Sequence, residues 1–297
     1  MMSAKVYALM LLLLVGLYAC SPNSTPGNSN AEAGAPMTGK AMELSSVIVD
    51  SLKKLFAIAD TLQRTYNEND SVNKVDEVNE AIAITLTAIL NDHKITRQNM
   101  DSLLKAPGLG IVHADDKKLW LFTWFENTGG SFKSNINMIY AKTASGQTMI
   151  TSDGRVGNQE ENLFPSSGAW FEKIYKLKSK KELYLCIGSG IGCNTCMFQT
   201  AVVVELLPDG INFNYEAFEP PGEEVGTYGE NGPSCLTIGA ANEDIEEFSF
   251  DPKTQILTIA YLTDEITPIP SGEGEKQRRI VRKLVFNGKR FVGNAFQ

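Results

Sequence analysis

Cysteines are the residues in this chain whose type and spacing most readily allow chemistry. Cys186, Cys193 and Cys196 follow a C-x6-C-x2-C pattern, with Cys235 further downstream. Three chemistries use such a set. An even count in an exported protein reads as two disulfides, four thiolates would suit a zinc site, and Cys193-Asn194-Thr195-Cys196 has the spacing of a redox dithiol. A redox pair gains its low pKa from a helix N-terminus, but here the strand-like run "MFQTAVVVEL" follows. Disulfides through all four are therefore the expectation. The cluster would staple the loop between strands at 183–187 and 196–207, with Cys235 pinning the acidic loop before it. All three connectivities remain open.

Carboxylates come next. The stretch "EAFEPPGEEVGTYGENG", 216–232, gathers Glu216, Glu219, Glu223, Glu224 and Glu230 beside Phe218 and Tyr228. Glu219, Glu223, Glu224 and Tyr228 form a possible ligand loop for a cation or a sugar. Two of these carboxylates facing a groove would suit a polysaccharide hydrolase. A solvated acidic loop is the plainer reading, since charge runs normally face water. The only histidines, His93 and His113, have no metal-ligand spacing. "GSGIG", 188–192, lacks the third glycine and following helix of a nucleotide-binding turn and reads as a glycine cluster in a loop. Trp120, Phe122 and Trp124 alternate onto one strand face. They could form a sugar platform, but Leu119, Leu121 and Phe125 make the other face apolar too, so buried core is expected. No metal site and no cofactor is expected.

The fifth cysteine ends an apolar run. Lys5 supplies one positive charge, Val6 to Gly16 an apolar stretch, and Ser21 to Lys40 a polar segment. Residues 1–19 have the layout of a signal peptide, too short to span a bilayer, which needs about 20 apolar residues. Leu17-Tyr18-Ala19-Cys20 resembles the lipobox of bacterial lipoproteins. The resemblance implies cleavage before Cys20, a diacylglyceryl group on its thiol and an acyl chain, such as palmitate, on its new amino group. One acyl chain holds only marginally at about 0.8 kcal/mol per buried methylene, so several on one residue make a stable anchor. Ser21 in place of Asp resembles the outer-membrane sorting class. The expected location is therefore the cell envelope, outer membrane rather than inner.

The chain carries 27 basic against 35 acidic residues, and loss of Lys5 with the signal would make it more acidic still. Such a surface repels nucleic acid, which is not an expected partner. Residues 20–40 comprise the lipidated cysteine and a Pro- and Gly-broken tether, reaching roughly 25 Å as a flexible coil. The expected partners are the membrane, through acylated Cys20, and an envelope protein or glycan.

Residues 41–106 read as helical. Leu44, Ile48, Leu52, Leu55, Ala59, Leu62 and Tyr66 recur with a helical period, and Val75, Val78, Ile82, Leu86 and Ile89 repeat it after "NEND". A helical hairpin is predicted, followed by a short third helix from Thr96 to Lys105. From 108 to 297 the period changes to two, and strand-like runs alternate with turn residues at Asp115-Asp116, Ser145-Gly146, Pro208-Asp209-Gly210, Asp251-Pro252 and Asn287-Gly288. Short links imply antiparallel neighbours. The fold expected is α+β, a helical hairpin followed by one large antiparallel β domain of meander, sandwich or barrel form. "DDKKLWLFTW", "TGGS", "YAK" and "FSFDPKTQILTI" are similar to stretches of uncharacterised lipoproteins of Gram-negative envelopes, a resemblance that implies no activity.

Overall fold

Amphipathic periodicity sets the first two elements. α1, Gly39–Arg64, buries Leu52, Leu55, Phe56 and Ala59 along one side, and α2, Ser71–Asn91, buries Val75, Asn79, Ile82, Ala83, Leu86, Ile89 and Leu90. This is the predicted hairpin. The computed structural model describes residues 39–64, 71–91, 106–127, 134–157, 164–165, 168–194, 196–218, 234–241, 245–268 and 275–293. The signal-like segment with Cys20, most of the tether, the expected third helix, His93, and Glu219, Glu223, Glu224, Tyr228 and Glu230 lie outside the described residues.

Thirteen described strands form three sheets. Sheet A comprises β1 (Leu109–His113), β2 (Leu119–Phe125), β3 (Asn135–Thr143) and β4 (Gly146–Thr151), in that spatial order. Sheet B comprises β5 (Trp170–Lys176), β6 (Glu182–Cys193), β7 (Cys196–Leu207) and β8 (Gly210–Asn212), with β9 (Cys235–Ala241) also paired to β7. Sheet C comprises β10 (Ile245–Asp251), β11 (Ile256–Pro268), β12 (Glu275–Phe286) and β13 (Phe291–Gly293). Every ladder is antiparallel, as short turns between sequential strands require. Sheets A and C are meanders, and sheet B is one from β5 to β8 to which β9 adds by returning to β7, so the antiparallel β domain that was expected is observed.

Side-chain alternation explains how the meanders stack. In sheet A, Trp120, Phe122, Trp124, Ile136, Met138 and Tyr140 face the helices, while Leu119, Leu121, Ile139 and Ala141 face sheet B. Sheet B meets sheet A with Tyr184, Cys186, Val202 and Val204, and meets sheet C with Leu183, Leu185, Ile187, Ala201 and Val203. Sheet C answers with Phe250, Leu257, Ile259, Tyr261, Ile280 and Phe286. The layers therefore run helical hairpin, A, B, C. Strands covered on both faces are apolar at nearly every position, which is why "LWLFTWF" and "AVVVEL", with only Thr123 and Glu205 polar, show no alternation. Strands of the last layer keep one polar face: Glu247, Ser249 and Asp251 of β10 and Arg279 and Lys283 of β12 are exposed.

Candidate functional site

Sheet B carries all four downstream cysteines and separates them into two kinds. Cys186 and Cys235 stand outside any disulfide and are buried in the layer between A and B. Both were expected in disulfides, and the sheet geometry explains the difference. Cys186 pairs with Val202 on one side of β7 and Cys235 pairs with the same Val202 on the other. Two strand spacings of about 4.8 Å separate them, so their Cα atoms lie about 10 Å apart, beyond the roughly 7 Å that a disulfide bridges. Burial pushes the Cys186 thiol pKa well up, which makes it an inert small hydrophobe. Cys235 sits against Thr200 and Thr237 hydroxyls at 3.5 and 3.4 Å, and it secures the end of the acidic stretch through the β7–β9 ladder, not through a bridge.

The other two stand where the chain reverses. Cys196 is disulfide-bonded. Cys193 is its backbone partner in the β6–β7 register, and the Cys193 side chain lies outside the described ones. The expected loop between these strands is reduced to a hairpin turn, because β6 runs on to Cys193. "GSGIG" is accordingly part of a strand, which corrects the loop reading. A Cβ at Gly188 would stand 2.7 Å from the Trp170 carbonyl oxygen, and one at Gly190 would run into the Phe198 ring. These glycines let the neighbouring strand and an aromatic ring approach the backbone, and no helix follows to receive a phosphate.

A second polar group lies at the A–B seam, where the β1–β2 turn meets β5 and β6. Lys176 Nζ contacts Asp116 Oδ2 at 2.7 Å and Glu182 Oε1 at 3.3 Å, and Lys118 also pairs with Glu182. The buried Tyr184 donates its hydroxyl to Asp116 Oδ2 at 2.8 Å, and Lys176 lies over the Tyr184 ring. Burial alone would raise the Asp116 carboxyl, yet hydrogen bonds from Lys176, Tyr184 and the Lys118 backbone hold it below its ordinary value. Burial likewise opposes, and Lys118 and Lys176 override, so Glu182 is also lowered. Tyr184 is pushed up by burial and then by Asp116. Two ionised carboxylates held by two lysines form a clasp. Neither is the raised-pKa acid that glycoside hydrolysis needs.

The sugar-platform alternative for Trp120, Phe122 and Trp124 fails on burial: at 8%, 0% and 0% exposure they pack under the helices. The acidic stretch leaves the described structure at Phe218 and returns at Ser234. Phe218 is stacked on Phe291 with centroids 5.0 Å apart, and the Ser234 carbonyl accepts from Val203 N at 2.8 Å. One end is thus fixed at the B–C seam and the other on β7 of sheet B. Glu216 is exposed at the first of these. Among the described residues, no group of three or more His, Cys, Asp or Glu side chains is arranged to hold a metal ion.

Sequence reasoning missed the clasp entirely, because Asp115-Asp116 reads as turn chemistry and Lys176 and Glu182 as ordinary strand-end charges. Their proximity depends on sheets A and B meeting, which no local pattern encodes. No protein family, curated protein or solved structure matches this chain.

Proposed function

We propose that this is a lipid-anchored cell-envelope protein whose layered domain acts as a binding or structural module, not as an enzyme. The observation that carries the reading is Leu17-Tyr18-Ala19-Cys20, placed after a short charged and apolar leader and before a polar tether. Several acyl chains on Cys20 hold the protein at the membrane, with outer membrane favoured by Ser21. No described helix is long and apolar enough to cross a membrane, so among the described residues no helical span competes with a lipid anchor.

The non-enzymatic part rests on how the described charges are used. Asp116 and Glu182 are neutralised by lysines that join two sheets, and Asp76 and Asp153 are held by Arg155, which joins α2 to the turn after β4. These groups brace the stack. Replacing Cys20 with Ala tests the anchor: the variant should lose labelling by a radioactive fatty acid, and the uncut precursor should accumulate. Unchanged labelling and processing would refute the proposal.

A further inference from the structure

We infer that the end of the stack where the β5–β6, β10–β11 and β12–β13 turns meet is a docking surface for anionic phospholipid headgroups, so that the domain stands on the membrane with these turns down. The choice of occupant rests on the proposed anchoring through Cys20. The three turns form one unit. Lys178 N donates to Gln255 Oε1 at 2.8 Å, Lys178 Nζ to the Lys253 carbonyl at 2.6 Å and Ser179 Oγ to the Gly288 carbonyl at 2.8 Å. Lys178, Lys180, Lys253 and Lys289 are exposed on it, and among the described residues none of the four forms an ion pair.

The carboxylates closest to these lysines are already engaged. Glu182 is held by Lys118 and Lys176, and Glu205 by Lys181 at 2.7 Å. Asp251 accepts from its own turn, from Thr254 Oγ1 at 2.6 Å and from Lys253 N at 2.9 Å. Asp115, Asp209 and Glu216 stay exposed at this end, against the four lysines and Arg290. A chain with 27 basic and 35 acidic residues thus gathers positive charge at one end, and the acidic remainder is repelled by the same surface that attracts it. Exposed aliphatic groups accompany the lysines: Leu207, entering the β7–β8 turn, and Val285, just before the β12–β13 turn. Leu207 belongs to this end because its neighbour Leu206 pairs with Glu182. Long cationic side chains beside aliphatic ones suit the boundary between headgroups and acyl chains.

The direction of the helices brings the tether to the same end. α2 starts at the opposite one, where Asp76 pairs with Arg155 after β4 and Asn79 accepts from Trp124 near the end of β2. Phe56, in the C-terminal half of α1, packs there too, beside Gly108 just before β1. As the antiparallel partner of α2, α1 therefore begins toward the lysines. From Phe56 back to Gly39 it covers roughly 25 Å at 1.5 Å per residue, about the length of β2.

Amine footprinting on vesicles tests the surface. The full chain, as bacteria process it, is mixed with vesicles of phosphatidylcholine alone or with phosphatidylglycerol added, then acetylated and mapped by mass. With phosphatidylglycerol at about 0.1 M salt, Lys178, Lys180, Lys253 and Lys289 should label about three-fold or more slowly than with phosphatidylcholine alone. Lys74, at the start of α2, should not change, and the difference should vanish at about 1 M salt, where charges are screened within about 3 Å. The Lys180→Glu, Lys253→Glu variant keeps the hydrogen bonds between the turns and should remove the slowing at Lys178 and Lys289. Labelling indifferent to phosphatidylglycerol, or slowed equally at Lys74, would overturn the inference. So would slowing by soluble heparin and not by vesicles, which would assign the lysines to an acidic glycan. The same digest reports the state of Cys20. Acylated Cys20 with unprotected lysines overturns the surface and keeps the anchor, whereas protected lysines with unmodified Cys20 support the surface and refute the anchor.

Discussion

The seam between α2 and sheet A and the seam between sheets B and C solve the same packing problem by different means. At the front, one polar residue sits in an otherwise apolar layer. Asn79, with no exposed surface, accepts from Trp124 Nε1 at 3.1 Å and donates to the Glu126 carbonyl at 2.7 Å. At the back, Phe218, Phe250, Phe286 and Phe291 form a cluster with Phe291 at its centre, 5.0, 6.1 and 5.1 Å from the other three rings. Directed bonds at the back lie at the turns and the end of the layer, where Gln255 accepts from Lys178 N at 2.8 Å, Ser179 donates to the Gly288 carbonyl at 2.8 Å and Tyr215 donates its hydroxyl to the Lys289 carbonyl at 2.8 Å. A helix can slide or rotate on a flat apolar sheet, so the buried Asn79 amide, with Arg155 on Asp76 at the rim, fixes its position. A strand-bearing layer is already fixed by its ladders and needs area more than direction.

The largest expected effect breaks the back seam. Phe291→Ala should cost about 3 to 5 kcal/mol, because it removes three ring contacts and leaves a cavity between sheets. Thermal melting should show a midpoint lower by roughly 10 °C or more. A shift of only a degree or two would mean that the cluster is not what joins B to C.

The front seam should respond to a smaller change with a distinct signature. Asn79→Ala leaves the Trp124 N–H and the Glu126 carbonyl unpaired, at a cost of about 2 kcal/mol. Combining it with Trp124→Phe should cost less than the sum of the two single changes, since both remove the same bond. Strict additivity in a denaturant series would contradict the pairing.

The middle seam, between A and B, adds a pH dependence of its own. Asp116 and Glu182 are held below their ordinary values of 3.8 and 4.5, so the unfolded chain binds protons first as pH falls. Their stabilisation is complete above about pH 5 and is lost as pH drops through the lowered folded values. Asp116→Asn should lower stability at neutral pH and flatten part of the decline between about pH 5 and 3. A decline identical to that of the unaltered protein would remove Asp116 from the clasp.

Legibility in the sequence follows the same division. Helix periods and the alternation of β10 and β12 were readable because each element buries one side only. β2 and β7 were readable as strands from β-branched and aromatic content, and the apolar second face of β2 already pointed to burial of Trp120, Phe122 and Trp124. β1, "LGIVH", β4, "GQTMIT", β8, "GIN", and β9, "CLTIGAA", were not recognised, being short or rich in Gly, Ala and polar residues. Their strand character comes from the neighbours they pair with. The separation of buried Cys186 and Cys235 from bonded Cys196, with Cys193 opposite the last, also depended on long-range register. Residues 196 and 235 are brought to one sheet only because β9 returns to β7.

The central claim is that this stack is delivered to a membrane by Cys20. Its most direct test is the intact mass of the N-terminal peptide from the membrane fraction of expressing bacteria. The account predicts a peptide that begins at Cys20 and carries a diacylglyceryl group and an amide-linked acyl chain. A peptide that begins at Met1, or at any residue other than Cys20, or an unmodified Cys20, would contradict it.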